Sequence, residues 1–167
     1  MGLTLVLGGA RSGKSAHAEV LVAQAAPPWS YLATAQAWDD EMVERIALHR
    51  SRRGGEWQTL DVPHELAGAL GALPSERPVL VDCLTLWLTN RMLAEADVAA
   101  ESAALADALA ARAGVTVAVS NEVGLSIVPD NALARRFRDA QGRLNQMVAA
   151  RAEAVIFMVA GLPVKVK

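Results

Sequence analysis

"LTLVLGGARSGKS", residues 3–15, joins an apolar run to a glycine-rich loop that ends in lysine and serine. Its second part, Gly8 to Ser15, satisfies G-x-x-x-x-G-K-[ST] without a mismatch, and the context is the one this motif needs, a strand before it and a helix after it. Gly8, Gly9 and Gly13 let successive backbone N–H groups curl around phosphate oxygens, with Ala10, Arg11 and Ser12 completing the loop. The N-terminus of the following helix adds a dipole that favours anions. Lys14 then reaches the terminal phosphates, and Ser15 offers a hydroxyl oxygen to Mg²⁺. The stretch predicts a nucleoside triphosphate site.

Outward from this loop, β-branched runs alternate with helical patterns. Strands are expected at 3–7, 30–34, 57–62, 79–83, 115–120 and 154–160. Helices are expected at 14–25, 39–51, 64–73, 84–95, 98–113 and 131–151. In the last of these Leu133, Phe137, Ala140, Leu144, Met147 and Val148 recur at helical spacing on one face. Such alternation predicts an α/β fold of the P-loop NTPase (RecA-like) type, a mostly parallel sheet with helices on both faces. Residues 1–167 are expected to form one nucleotide-binding and catalytic domain.

Composition narrows the partners. Sixteen basic against 18 acidic residues leave a formal charge of −2, so no global positive field favours nucleic acid. The apolar start has no basic leader and is too short for a signal peptide or a membrane span. Cys83, the single cysteine, excludes an intrachain disulfide and reads as a buried thiol in a reducing compartment, so a soluble, cytoplasmic protein is expected.

A P-loop needs an acidic partner at the end of another strand. "PVLVDC" supplies Asp82, read either as a ligand to Mg²⁺ or its waters or as a solvated strand-end carboxylate. "RIALHRSRRGG", residues 45–55, sets His49 among Arg45, Arg50, Arg52 and Arg53. Clustered cations keep such a ring neutral, the state in which a ring nitrogen attacks phosphorus, and the same arginines would bind phosphates. The plainer reading is a basic helix end complementing the helix dipole. His17 and His64 have no ligand spacing and read as structural, as do most of Trp29, Trp38, Trp57 and Trp87.

Taken together, "GGARSGKS", "YLATAQAWDDEMVERIALHRSRR", Trp57-x-Thr59, "VLVDCLTLWLTN" and "SNEVGLSIVPDNALARRFRDAQGRLNQ" stand in the order and spacing of one family. The chain resembles the bifunctional adenosylcobinamide kinase and adenosylcobinamide-phosphate guanylyltransferase of cobalamin synthesis. The resemblance implies that ATP or GTP phosphorylates the aminopropanol hydroxyl of adenosylcobinamide, and that GMP then passes from GTP to this phosphate through a covalent histidine, matched here by His49. It further implies that Ala33, Thr34, Ala35, Arg50, Ser51, Arg52, Arg53, Asp61 and Asp82 line the nucleotide site, with Ser15 and Asp82 toward Mg²⁺. Asp61 and Asp82 stand where relatives often carry glutamate, and Leu48 stands where many carry a second histidine. Asn121 and Glu122 are read either as contacts to the corrinoid or as braces of their own loop. A homotrimer is implied as well. Two rival readings are a small-molecule kinase without a covalent step and a nucleotide-sensing regulatory module.

Overall fold

The computed structural model describes residues 2–36 and 54–167. Seven strands form one sheet: β1 Leu3–Gly8, β2 Trp29–Ala33, β3 Trp57–Asp61, β4 Val79–Asp82, β5 Thr116–Asn121, β6 Ala154–Val159 and β7 Leu162–Lys165. Five helices are described: α1 Lys14–Val22, α2 Leu66–Ala72, α3 Leu84–Leu93, α4 Val98–Ala110 and α5 Ala132–Arg151. The helix expected over 39–51 lies outside the described residues.

The strand order is β3-β2-β4-β5-β1-β6-β7. Every neighbouring pair is parallel except β6 with β7. Along β1 the side chains alternate between faces, as a pleated strand requires. Leu3 and Leu5 join Leu84, Leu88, Leu105, Leu109, Leu144 and Val148 of α3, α4 and α5 on one side. Val6 packs with Ala18 and Val22 of α1, and with Val117 and Val119, on the other. Helices therefore cover both faces, and the mostly parallel α/β architecture is as expected. The phosphate loop leaves the carboxyl end of β1, flanked by β5 and β6, where ligands of open α/β sheets bind.

Three features depart from the sequence reading. β7 was not expected: Ala160 and Gly161 both take positive φ, 51° and 82°, and turn the chain back on β6 as a hairpin. Its Pro163 is tolerated because β7 is an edge strand. Leu133, expected on the apolar face of the last helix, is 56% exposed, since it lies in the first turn of α5, before the helix reaches the core. Gln141 and Asn145, polar and assigned to no face, are buried in that same helix. Strand boundaries fall within one residue of expectation, while predicted helices overrun by up to three residues at their C-terminal ends. Among the described residues no helix is long and apolar enough to cross a membrane.

Candidate nucleotide and acceptor site

Backbone geometry makes the phosphate loop. Gly13 caps α1 in the left-handed region at φ 92°, with no side-chain cap hydrogen bond, so an anion and not a side chain suits this helix end. A Cβ at Gly8, φ 155°, would meet Ser12 Oγ at 2.6 Å and the Met158 carbonyl at 2.7 Å, so only glycine lets β1 pass β6 into the loop.

Lys14 is buried, and its ammonium donates to the Gly9 carbonyl and to Ser12 Oγ. Burial holds its pKa below the ordinary lysine value, partly opposed by Cys83 and Asp82. An ammonium folded onto its own loop, close enough to Asp82 to feel its charge, is placed to transfer its hydrogen bonds to an incoming phosphate.

Asp82 ends β4, one strand removed from β1 across β5. Tyr31 donates its hydroxyl to Asp82 Oδ2 at 2.8 Å. The next residue is clamped: Thr34 Oγ1 accepts from the Cys83 N–H at 2.8 Å and donates to the Cys83 carbonyl at 2.7 Å, while Asn90 Nδ2 donates to the Thr34 carbonyl at 2.9 Å. Thr34 is fully buried and Ala33 is buried, whereas Ala35 is half-buried and Asp61 is exposed at the end of β3. The Thr34 side chain thus braces the Asp82 segment. Ser15 and Asp82 are both hard oxygen donors, which fits Mg²⁺; that ion prefers one or two protein oxygens together with phosphate oxygens and waters.

Asn121 lies opposite Gly8 in the β5–β1 register, and the Glu122 N–H donates to the Gly8 carbonyl at 3.1 Å. The Glu122 carboxylate accepts from the Gly124 N–H, so in this state the side chain braces its own loop. Asn121 is held through its backbone: its N–H donates to Thr85 Oγ1 at 2.8 Å and its carbonyl accepts from Asn145 Nδ2 at 3.1 Å. Behind it Ser120 Oγ donates to Asn145 Oδ1 at 2.6 Å, and Gln141 Nε2 donates to Ser120 Oγ at 2.9 Å. These supports, with Tyr31 and Thr85, were not read from the sequence. The visible signal was Gln141 and Asn145 four residues apart, beside Leu144 and Val148, polar residues on a stripe that faces the core.

His49, Arg50, Ser51, Arg52, Arg53 and Trp38 lie outside the described residues. Trp29 and Trp57 pack together at 5.2 Å, Trp87 donates to the His64 carbonyl, and Cys83 is a buried thiol, all as expected. Arg135 donates to the Pro129 and Asp130 carbonyls, pinning the loop before α5.

The family described as "Cobinamide kinase / cobinamide phosphate guanyltransferase" matches residues 4–166. The chain belongs to this family. It is 49% identical to the bifunctional adenosylcobalamin biosynthesis protein CobP of Pseudomonas aeruginosa, over 98% of this chain and 96% of the relative. It is 40% identical to the CobU protein of Salmonella typhimurium, over 99% of each chain. Among solved structures, the bacteriophage phi6 P4 protein in complex with ADP aligns at 18% identity and a TM-score of 0.48, over 98% of this chain and 54% of its own. The family assignment rests on the sequence matches alone, and it makes the chain a transferase of cobalamin biosynthesis.

Proposed function

We propose that this chain phosphorylates the aminopropanol hydroxyl of adenosylcobinamide with ATP or GTP, and then transfers GMP from GTP to that phosphate through a guanylyl-histidine at His49. The products of the second step are adenosylcobinamide-GDP and pyrophosphate. The observation that carries the reading is a complete P-loop at the carboxyl end of β1, with Lys14 buried in it and within range of the Asp82 charge.

In the kinase step the acceptor oxygen bonds to the γ-phosphorus, loses its proton, and the bond to the leaving diphosphate breaks. Lys14 and the N–H groups of Gly9 to Ser15 hold the triphosphate in line. Mg²⁺, held with the nucleotide by Ser15 and Asp82, would supply charge neutralisation at the phosphates. In the second reaction a neutral ring nitrogen of His49 attacks the α-phosphorus of GTP, forming a P–N bond as pyrophosphate leaves. An oxygen of the corrinoid phosphate then attacks the same phosphorus and the P–N bond breaks. Arg50, Arg52 and Arg53 neutralise the anions that must approach one another, and Ser51, Ala33 to Ala35 and Asp61 complete the nucleotide site. Asn121 and Glu122 face the corrinoid. The working assembly is taken to be a homotrimer in the cytoplasm, on the family resemblance and on the lone reduced cysteine.

The test is incubation with GTP labelled at the α-phosphorus. The expected result is protein-bound label that is stable to alkali, labile to acid and absent from His49→Asn. A corrinoid-active protein that never takes label would leave the kinase and remove the covalent step.

A further inference from the structure

Beside the phosphate loop lies a groove of about 450 Å³, lined by Gly9 and Ala10 of the loop, Glu122 and Ser126 of the segment after β5, and the apolar side chains Leu125 and Phe157. Its volume is in the range of small-molecule sites. Two properties define its occupant. The groove shares Gly9 and Ala10 with the phosphate loop, so whatever fills it sits beside that loop. Its lining is mixed, with the Glu122 carboxyl and Ser126 hydroxyl groups beside aliphatic and aromatic carbon. The same loop also exposes apolar carbon to solvent: Leu125 is 85% exposed and Ile127, two residues on, 93%. Two large apolar side chains left this exposed within three residues of one loop mark an interaction site.

We infer that this groove is the acceptor subsite, and that it takes a hydroxyl-terminated arm and one amide-bearing edge of the corrinoid, with the flat macrocycle resting outside on Leu125 and Ile127. The arm's hydroxyl points to Gly9 and Ala10, and peripheral amides meet Glu122 and Ser126. The groove is too small for the whole macrocycle, which accounts for apolar side chains left outside it. A second copy of the chain could also cover an apolar loop, but it would not explain a groove that opens onto the phosphate loop. The inference rests on the proposed kinase and guanylyltransferase reactions.

The test uses the full chain and two variants, Leu125→Asp, which charges the apolar wall, and Ser126→Trp, which fills the groove. Both positions are exposed, so neither change disturbs the core. Three quantities are read: the KM for adenosylcobinamide in the kinase reaction at saturating ATP, the labelling of His49 by GTP without corrinoid, and the sedimentation coefficient. The expected result is a KM raised about tenfold or more in both variants, with labelling and sedimentation at wild-type values. Val20→Asp, a matched exposed apolar position on α1, changes none of the three. An unchanged KM overturns the inference. So does a variant that changes its assembly state, which makes the loop a contact between copies, or one whose labelling falls with its corrinoid affinity, which makes the groove part of the nucleotide site. Wild-type protein that phosphorylates corrinoid without taking label removes the histidine step alone, and the KM comparison still decides the groove.

Discussion

Replacing Asn145 by leucine tests whether the buried amides of α5 hold the acceptor loop. Asn145 is 6% exposed, accepts from Ser120 Oγ at 2.6 Å and Gln141 Nε2 at 3.0 Å, and donates to the Asn121 carbonyl at 3.1 Å. Leucine keeps the branched heavy-atom skeleton, with somewhat bulkier methyl groups, and removes all three bonds. Gln141 retains Ser120 as a partner, so the main losses are the buried Ser120 hydroxyl donor and the Asn121 carbonyl. At about 1–3 kcal/mol for each buried group left unsatisfied, the variant should lose about 3 kcal/mol. For a chain of this length that is a fall in Tm of roughly 6–12 °C. Urea unfolding followed by tryptophan fluorescence measures the first number and a thermal melt the second. Because Asn121 immediately precedes Glu122, whose N–H rests on Gly8, the KM for corrinoid should rise while labelling of His49 changes little. Adding Ser120→Ala and Gln141→Leu removes the stranded partners and should recover part of the stability but none of the corrinoid affinity. A single variant within about 0.5 kcal/mol of wild type, below the net worth of one ordinary hydrogen bond, would refute the role given to this network.

The Cys83 thiol is pushed up to about 12, first by burial and then by the Asp82 charge. A folded pKa above the unfolded 9.0 means that the thiol contributes stability fully present below pH 9 and lost as the pH rises toward 12, so Cys83→Ala should show a flatter alkaline stability curve. The native thiol should likewise resist a thiol reagent at pH 8 until the protein is unfolded. Tyr31→Phe removes one hydrogen bond to Asp82 and leaves the ring packed edge-on against Trp57 at 6.0 Å. Its expected effect is a several-fold higher Mn²⁺ dissociation constant of the enzyme–nucleotide complex, read by paramagnetic resonance; an unchanged constant would mean that the hydroxyl does not orient the carboxylate.

Much of the site was legible because its chemistry is local in the chain. Gly8 to Ser15 form one turn between a strand and a helix; the requirement for glycine at Gly13 follows from its left-handed backbone within that turn, while at Gly8 the neighbouring β6 backbone at Met158 adds to it. Asp82 was legible because three aliphatic residues bounded by Pro78, Val79 to Val81, end on it. Gln141 and Asn145 were not, because a polar residue on an amphipathic helix reads as solvent-facing until a partner is known, and theirs, Ser120 and Asn121, are 21 to 25 residues away in the chain. Likewise β7 lacked a signal, since a proline-bearing run earns strand geometry only by pairing at the edge of a sheet whose order is already set.

By itself the amino-acid order determined the kind of fold, the phosphate loop and the family, because periodicity, turn chemistry and motif spacing act over a few residues at a time. Tertiary structure alone decided that Thr34 turns its hydroxyl to Cys83, that Tyr31 meets Asp82, and that the loop after β5 forms a groove with Gly9 and Ala10. Each of those contacts joins segments that share nothing in sequence, and they meet only because the parallel strands bring their carboxyl ends to one edge of the sheet.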